Sequence, residues 1–330
     1  MTRLRIAFVG CGTHAGIAIY PSLRYAPIEL AAVCDLVEER ARANADIFGA
    51  GAVYTDYRTM LDRESVDAVF VVGPPDLHRE VALEALDRGL HVFMEKPPAE
   101  DLAGARAILE RSRATGRHVM VGFMKRFALA YGKAKELMSD PGFGKPTHIN
   151  AKYCHWQCRD LHWHLIYMSV HMLDLVRFFM GDMERVHAEK CVAGGQHAFA
   201  LAVKFKNGAS GLVGLTAMEP RVQERVTLSG EGQMVEVDNL VDLRVFGREQ
   251  RGIGLEFEPE DRFWRPDFAI PHLQQNSLFL QGYAGEVQHF AESILAGREP
   301  TSNIHDGYKA MQLVEILSST DGETVPIPDD

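Results

Sequence analysis

The residue best suited to chemistry is Lys96, which follows Glu95 at the end of an apolar run and precedes two prolines. The run Val92-Phe93-Met94 predicts a buried strand, and Pro97-Pro98 cannot continue a sheet. In an open α/β sheet, ligands bind beyond the carboxyl ends of the strands. The ammonium and carboxylate are therefore placed to act on a bound molecule, although a simple surface pair at a strand end is the alternative interpretation.

A second group of titratable side chains lies in the segment Leu161 to Met180, which predicts a helix. Tyr167, His171 and Asp174 follow one another at i, i+4 and i+7, and this spacing places all three on one face of a regular helix. A histidine satisfied in a helix-sheet core is the commoner alternative for His171.

Histidine and cysteine residues are concentrated just before this helix, at Cys154, His155, Cys158, His162 and His164. A C-x3-C pair followed by H-x-H lacks a second well-spaced pair on another element, so the pattern predicts no metal site. Together with Tyr153, Trp156 and Trp163, these residues predict a polar and aromatic pocket instead.

A glycine-rich loop directly follows the predicted strand Arg5 to Val9. It has the pattern G-x-G-x-x-A, in which the candidate cofactor-binding residues are Gly10, Gly12, Thr13, His14 and Ala15. Such glycines allow a tight turn and a close approach of a pyrophosphate to a helix N-terminus. Pro21 predicts a kink in the helix that follows.

Asp35 ends the next predicted strand, Leu30 to Cys34, about twenty residues after the loop, the separation expected of a carboxylate that binds ribose hydroxyls. A carboxylate there repels a 2′-phosphate, so NAD is preferred to NADP. A plain aspartate at a strand end is the alternative.

The remaining pattern predicts an α/β protein of two domains. Strands and helices alternate through residues 1–123, which predicts a Rossmann domain with a doubly wound parallel sheet. Alternating strands dominate residues 124–330 and predict an α+β domain with a large, mostly antiparallel, open-faced sheet. The strands expected there are Ala198 to Phe205, Ser210 to Thr216, Arg225 to Ser229 and Met234 to Val237.

The composition and net charge limit the classes of molecule that the protein is expected to bind. The chain has 330 residues, 46% of them hydrophobic, and a net charge of −10. No basic tract accompanies that charge, so nucleic acid and anionic membranes are not expected partners, and no segment has the length of a signal peptide core or membrane span. Five cysteines in a long chain predict reduced thiols. A cytoplasmic location is expected.

These residues together resemble the Gfo/Idh/MocA family of glucose-fructose oxidoreductases, inositol dehydrogenases and related enzymes. The resemblance is carried by Gly10-x-Gly12, Asp35, Gly73-Pro74-Pro75-Asp76-Leu77-His78, Glu95-Lys96-Pro97 and Gly122-Phe123-Met124-Lys125-Arg126-Phe127. It implies that Lys96 contacts both substrate and nicotinamide. It also implies that the cofactor is lined by Gly73, Pro74, His78, Glu95 and Met124. The family usually has Thr-Pro-Asn where this chain has Gly73-Pro74-Pro75, so a contact from Asn is missing.

The family's Asp-x-Gly-x-His-x-x-Asp segment is similar to residues 167–174. The resemblance implies that His171 is the catalytic base and that Asp174 orients it or binds substrate. Tyr167 stands where Asp is usual and Ser169 where Gly is usual, so His171 is a weaker base or Tyr167 itself exchanges the proton. Arg126, His155 and Trp163 are further candidates for contact with a sugar-like substrate.

The function expected from the resemblance is hydride transfer between NAD and a secondary hydroxyl, or ketone, of a sugar, sugar derivative or cyclitol. A homo-oligomer, dimer or tetramer, formed through the C-terminal sheet is also implied. Two alternatives keep the same fold. One is an NAD-dependent glycosidase that acts by transient oxidation and elimination, and the other is a non-catalytic protein that senses NAD or a sugar.

Overall fold

Fifteen strands form two separate sheets in a computed structural model that describes residues 2–247, 261–266 and 277–329. Their bounds are β1 Leu4–Val9, β2 Ile28–Cys34, β3 Ala52–Tyr54, β4 Ala68–Val71, β5 His91–Glu95, β6 Val119–Gly122, β7 Pro146–Cys154, β8 Met183–Ala193, β9 Gln196–Phe205, β10 Ser210–Thr216, β11 Gln223–Gly230, β12 Met234–Asp238, β13 Asp242–Phe246, β14 Arg262–Trp264 and β15 Glu323–Pro326.

The α-helices flank these strands and alternate with them in the first half of the chain. Their bounds are α1 Tyr20–Ser22, α2 Glu38–Phe48, α3 Tyr57–Arg63, α4 Pro75–Asp87, α5 Leu102–Thr115, α6 Leu129–Met138, α7 Leu161–Trp163, α8 Val170–Met180, α9 Ser277–Gln281, α10 Tyr283–Leu295 and α11 Ile304–Ser319. Within the described residues, none is both long enough and apolar enough to cross a lipid bilayer.

The first sheet has the order β3-β2-β1-β4-β5-β6, and all its pairings are parallel. Chain order reverses between β1 and β4, which makes the sheet doubly wound and confirms the predicted fold class. Phe8, Phe70 and Phe93 on the three central strands are fully buried, as expected where helices cover both faces. The rings of Phe70 and Phe93 stack with their centroids 4.6 Å apart.

Particular residues determine where two helices of this part begin. α4 begins at Pro75, because proline fits the first turn of a helix, where its missing N–H is not needed. α5 begins at Leu102, because Asp101 caps the helix by accepting the N–H of Gly104 at 2.8 Å. β3 and α3 were not predicted, and three strand residues are too few to show a period.

The kink predicted at Pro21 takes the form of an irregular helix. A π-helical stretch Ala15–Ile19 leads into the short α1, and a 3-10 turn Leu23–Tyr25 ends it. Pro21 cannot donate the backbone hydrogen bond of a regular helix, which explains the change of helix type.

The second sheet has nine strands in the order β14-β13-β12-β11-β7-β10-β9-β8-β15. All its pairings are antiparallel except that of β10 with β7, which confirms a mostly antiparallel sheet. Buried residues alternate with accessible ones along β9, β10 and β11, so one face carries the core and the other is open.

The chain divides into two compact units whose boundaries cross the linear order. One unit contains Met1–Met124 and Gly282–Gln312, and the other contains Lys125–Gln281 and Leu313–Asp330. α10 thus belongs with the parallel sheet. Its buried Phe290 packs edge-on against Phe70 and Phe93, with ring centroids 5.3 and 5.8 Å away.

The segment Leu161 to Met180 is helical throughout but not regular. Between α7 and α8 it contains a π-helical stretch, His164–Ser169. The helix therefore changes type between Tyr167 and His171, and His171 lies with Asp174 on the regular α8.

Candidate functional site

Lys96 lies immediately beyond β5 and is partly exposed, whereas Glu95 is buried. The Glu95 carboxylate has two neighbours, since its Oε1 lies 3.1 Å from His14 Nε2 and its Oε2 accepts the backbone N–H of Lys96 at 3.2 Å. Burial opposes the charge on Glu95, but the close contact with His14 and the charge of Lys96 outweigh burial and lower the pKa of Glu95. A carboxylate is therefore held beside Lys96.

His78 connects the Gly73 loop to the segment after Lys96. Its Nε2 accepts the backbone N–H of Gly73 at 3.0 Å, so the ring proton is on Nδ1, which donates to the carbonyl of Pro97 at 2.8 Å. The ring is fully buried, and burial lowers the pKa of His78 despite the hydrogen bond to Pro97. A neutral imidazole thus holds both loops in place, while Gly73 and Pro74 remain exposed.

The glycine loop has the geometry that a pyrophosphate site requires. Gly10 has a φ of +102°, and a Cβ there would collide with the carbonyl oxygen of Val72. A Cβ on Gly12 would meet no heavy atom within 4 Å, so the space beside that residue is open. The helical segment starts at Thr13, directly after the loop; Thr13 and His14 are exposed and Ala15 is buried.

Asp35 is fixed by the backbone on both sides of it. Its Oδ2 accepts the N–H of Cys11 at 2.8 Å and its Oδ1 accepts that of Val37 at 2.9 Å. The carboxylate therefore stands next to the glycine loop and stays partly exposed. Gly10, Gly12 and Asp35 fit a dinucleotide: the loop would hold the pyrophosphate and Asp35 the ribose hydroxyls.

Arg126 and Asp174 form a buried ion pair in the second unit. The Arg126 Nε and Nη2 donate to the two carboxylate oxygens of Asp174 at 2.7 and 2.5 Å. Such a two-point pair fixes both groups firmly. The structure thus brings together two residues that were predicted separately as substrate contacts, and it joins α8 to the 3-10 turn Met124–Phe127.

A second buried pair was missed by the sequence analysis. Lys125 Nζ pairs with Glu224, which also accepts a hydrogen bond from the Tyr131 hydroxyl. Lys125 lies over the ring of Tyr153, 4.4 Å from its centroid. Burial and Glu224 raise the pKa of Tyr131, so its hydroxyl remains a donor. In the sequence, this pair was indicated only by Lys125 within the motif Lys125-Arg126. Its partner Glu224 is 99 residues away, and no local pattern connects the two.

His171 is largely buried on α8, and Tyr167 is partly exposed on the π-helical stretch. Trp163 is partly exposed and packs near Tyr167, with ring centroids 5.4 Å apart. Asp160 caps this region by accepting the N–H of Trp163 at 2.7 Å. Trp163 and Tyr167 therefore lie together on one side of the segment.

Two of the histidines predicted to line a pocket, His155 and His164, lie together in the core, whereas Trp156 and His162 are exposed. His155 and His164 are fully buried with ring centroids 4.8 Å apart, and the Nδ1 of His155 lies 2.9 Å from the carbonyl of Trp156. Burial, with the charges of His155 and His197, lowers the pKa of His164 to about 3. Among the described residues, no three His, Cys, Asp or Glu side chains converge as metal ligands.

Comparisons with known proteins match both halves of the chain to domains of one oxidoreductase family. A family model described as an oxidoreductase family with an NAD-binding Rossmann fold matches residues 4–123, and one described as a GFO/IDH/MocA C-terminal domain matches residues 131–236. Together they show an NAD-binding domain followed by the domain that accompanies it in this family.

Named relatives match along nearly the whole chain. The D-apiose dehydrogenase of Paraburkholderia graminis is 24% identical, over 98% of this chain and 90% of its own. The myo-inositol 2-dehydrogenase of Thermotoga maritima is 24% identical, over 94% of each chain. Among solved structures, a levoglucosan dehydrogenase in complex with NADH and L-sorbose is 18% identical, with a TM-score of 0.87 over 100% of each chain. That structural likeness shows a shared fold.

Proposed function

The chain belongs to the Gfo/Idh/MocA family of NAD-binding oxidoreductases, and from this premise we propose that it moves a hydride between NAD and a secondary hydroxyl, or ketone, of a sugar, sugar derivative or cyclitol. The observation that carries the proposal is Lys96 at the carboxyl end of β5. Lys96 lies beside the Glu95 carboxylate, which contacts His14 and accepts the backbone N–H of Lys96. His78 holds the loop that follows Lys96. Relatives named as dehydrogenases of apiose and inositol support this substrate class.

In the proposed reaction, the ammonium of Lys96 stabilises the oxygen that gains negative charge as the hydroxyl is oxidised. His171 accepts the hydroxyl proton on its imidazole nitrogen, or Tyr167 exchanges it. When bound, NAD supplies the hydride acceptor. Gly10, Gly12 and Asp35 would hold it, with contributions from Thr13, His14, Ala15, Gly73, Pro74 and Met124.

We assign Asp174 and Arg126 a positioning role within this site. Each carboxylate oxygen of Asp174 accepts from Arg126, and the pair is buried, so it supports α8, which carries His171. Trp163 is the better candidate for contact with a sugar ring, because it is partly exposed whereas His155 is fully buried.

The proposal is tested by NADH formation from NAD with a panel of sugars, sugar nucleotides and cyclitols. We expect one substrate class to be oxidised, with NAD preferred to NADP because Asp35 would repel a 2′-phosphate. Lys96→Met should lower kcat by roughly 10²–10³-fold with little change in NAD affinity, because it removes charge stabilisation of the transition state.

The matched control is Lys133→Met, which removes an exposed lysine of α6 and should keep normal turnover. His171→Ala should also lose turnover. Turnover by Lys96→Met at the wild-type rate would refute the proposed role of Lys96.

We further propose that residues 1–123 bind NAD while residues 124–330 bind substrate and assemble subunits, in a cytoplasmic homo-oligomer. The open face of the nine-stranded sheet supports this, since it presents half-exposed apolar side chains such as Leu212. All five cysteines are free, as suits a reducing compartment. Sedimentation velocity of the wild type and of Leu212→Lys tests the assembly, which should dissociate in the variant.

A further inference from the structure

Glu286 is a buried acidic residue that the proposed reaction does not use. It lies in the first turn of α10, is fully buried, and neither carboxyl oxygen has a hydrogen-bond partner among the described residues. An ionised carboxylate in such a position would lose its hydration without replacement, which is strongly unfavourable. The group must therefore either carry a proton or acquire a partner.

Its neighbours on α10 show where Glu286 lies in the first unit. Tyr283, three residues earlier, packs edge-on against His14, with ring centroids 5.6 Å apart. Phe290, four residues later, packs on Phe93 of β5. Residues spaced i, i+3 and i+7 share one helix face, so Glu286 faces the region between the glycine loop and the end of β5.

The groups that act on Glu286 are the two at that strand end. Burial raises the pKa of Glu286 well above its ordinary value, the negative charge of Glu95 raises it further, and Lys96 opposes them. His14 and His78 influence the pKa of Glu95 rather than that of Glu286. The other titratable residues on the elements packed against α10 are Arg5, Tyr20, Arg24 and Tyr25.

We propose that Glu286 is a positioning residue held as a neutral carboxylic acid, so that Glu286 and Glu95 together carry one negative charge beside Lys96. A second charge would cancel the field of the Lys96 ammonium at the substrate oxygen. This catalytic consequence rests on the proposed function, whereas the protonation of Glu286 does not.

Infrared spectroscopy of the wild-type protein tests the protonation directly. At pH 8 a band from a protonated carboxyl group should be present and should be absent from Glu286→Gln. In Glu95→Gln the Glu286 band should disappear at a lower pH than in wild type, because loss of the neighbouring negative charge lowers the pKa of Glu286. A wild-type spectrum without the band, or a titration that Glu95→Gln leaves unchanged, overturns the proposal.

Urea unfolding as a function of pH gives an independent test. Above about pH 4.5 the unfolded chain releases this proton and the folded protein keeps it. The free energy of unfolding of the wild type therefore falls relative to that of Glu286→Gln as pH rises. The ratio of the two folding constants should change about tenfold per pH unit. The control is Glu292→Gln, an exposed residue of the same helix, whose ratio to wild type should stay constant.

A Glu286→Gln curve parallel to that of wild type would refute a retained proton. Neither the infrared nor the unfolding measurement needs substrate or turnover, so a failed search for dehydrogenase activity leaves both results interpretable.

Discussion

Gly10 and Gly12 of the same loop serve two different physical needs. Gly10 has a backbone conformation that side chains rarely adopt, and it packs against Val72. Gly12 has open space where its Cβ would be. The first glycine is therefore required by the fold, and the second leaves room for the close approach of the NAD pyrophosphate that we propose there.

We expect Gly10→Ala to lower the free energy of unfolding by at least roughly 1–3 kcal/mol, because backbone strain adds to a collision with Val72. Gly12→Ala should unfold like wild type but bind NAD more than tenfold more weakly, since its methyl group occupies the space next to the pyrophosphate site. Urea unfolding and calorimetric titration with NAD measure the two effects. Equal losses of stability in the two variants would contradict this division.

At the same scale, the sequence placed Lys96, Glu95 and Asp35 at strand ends, because apolar runs and breakers mark those ends directly. It did not show that His78 holds two loops, since the Pro97 carbonyl is 19 residues away. Hydrogen bonds between distant segments leave no periodic pattern in a sequence.

At the scale of elements, two buried ion pairs fix the segment after β6. Arg126 pairs with Asp174 on α8, and Lys125 pairs with Glu224 on β11. Removing one partner of a buried pair leaves a charge without compensation, which costs more than the pair itself contributes.

We therefore expect Glu224→Gln to lower the free energy of unfolding by about 3–5 kcal/mol, because the Lys125 ammonium is left buried and unbalanced. Glu136→Gln removes the partner of Lys133 in an exposed pair and should cost no more than about 1 kcal/mol. Urea unfolding at one pH measures both. A small loss in Glu224→Gln would show that the charge of Lys125 is compensated in another way.

The π-helical stretch His164–Ser169 is the element that sequence reasoning could not supply. Periodicity predicted one helix over Leu161 to Met180, and that extent is confirmed. A change from α-helical to π-helical hydrogen bonding within the segment leaves its composition and length unaltered, so the sequence pattern does not show it.

At the scale of the whole molecule, burial of a histidine makes the free energy of unfolding depend on acid pH. The pKa of His164 falls to about 3 because the ring is buried, while an unfolded chain protonates it near pH 6.5. A base with a lowered pKa in the folded state binds protons on unfolding. Stability from this group is therefore complete above pH 6.5 and is lost as pH falls toward 3.

We expect His164→Leu to flatten the acid side of the stability profile, by roughly 1.4 kcal/mol per pH unit between pH 6 and 4. The exposed His162 provides the matched control, and His162→Leu should keep the wild-type slope. Chemical unfolding at a series of pH values measures both slopes. Parallel curves for wild type and His164→Leu would show that His164 is protonated equally in both states.

The sequence by itself determined the class of the fold, the glycine-rich loop and the strand end that carries Lys96. Those features depend on local patterns: apolar periodicity, glycine spacing and proline breaks. Tertiary structure decided that Gly282–Gln312 belongs to the compact unit that contains the parallel sheet, and it placed Glu286 near Glu95 although 191 residues separate them in the chain. It also decided that Arg126 and Asp174 bind each other. Such pairings arise when distant segments pack, and no property of either segment alone specifies its partner.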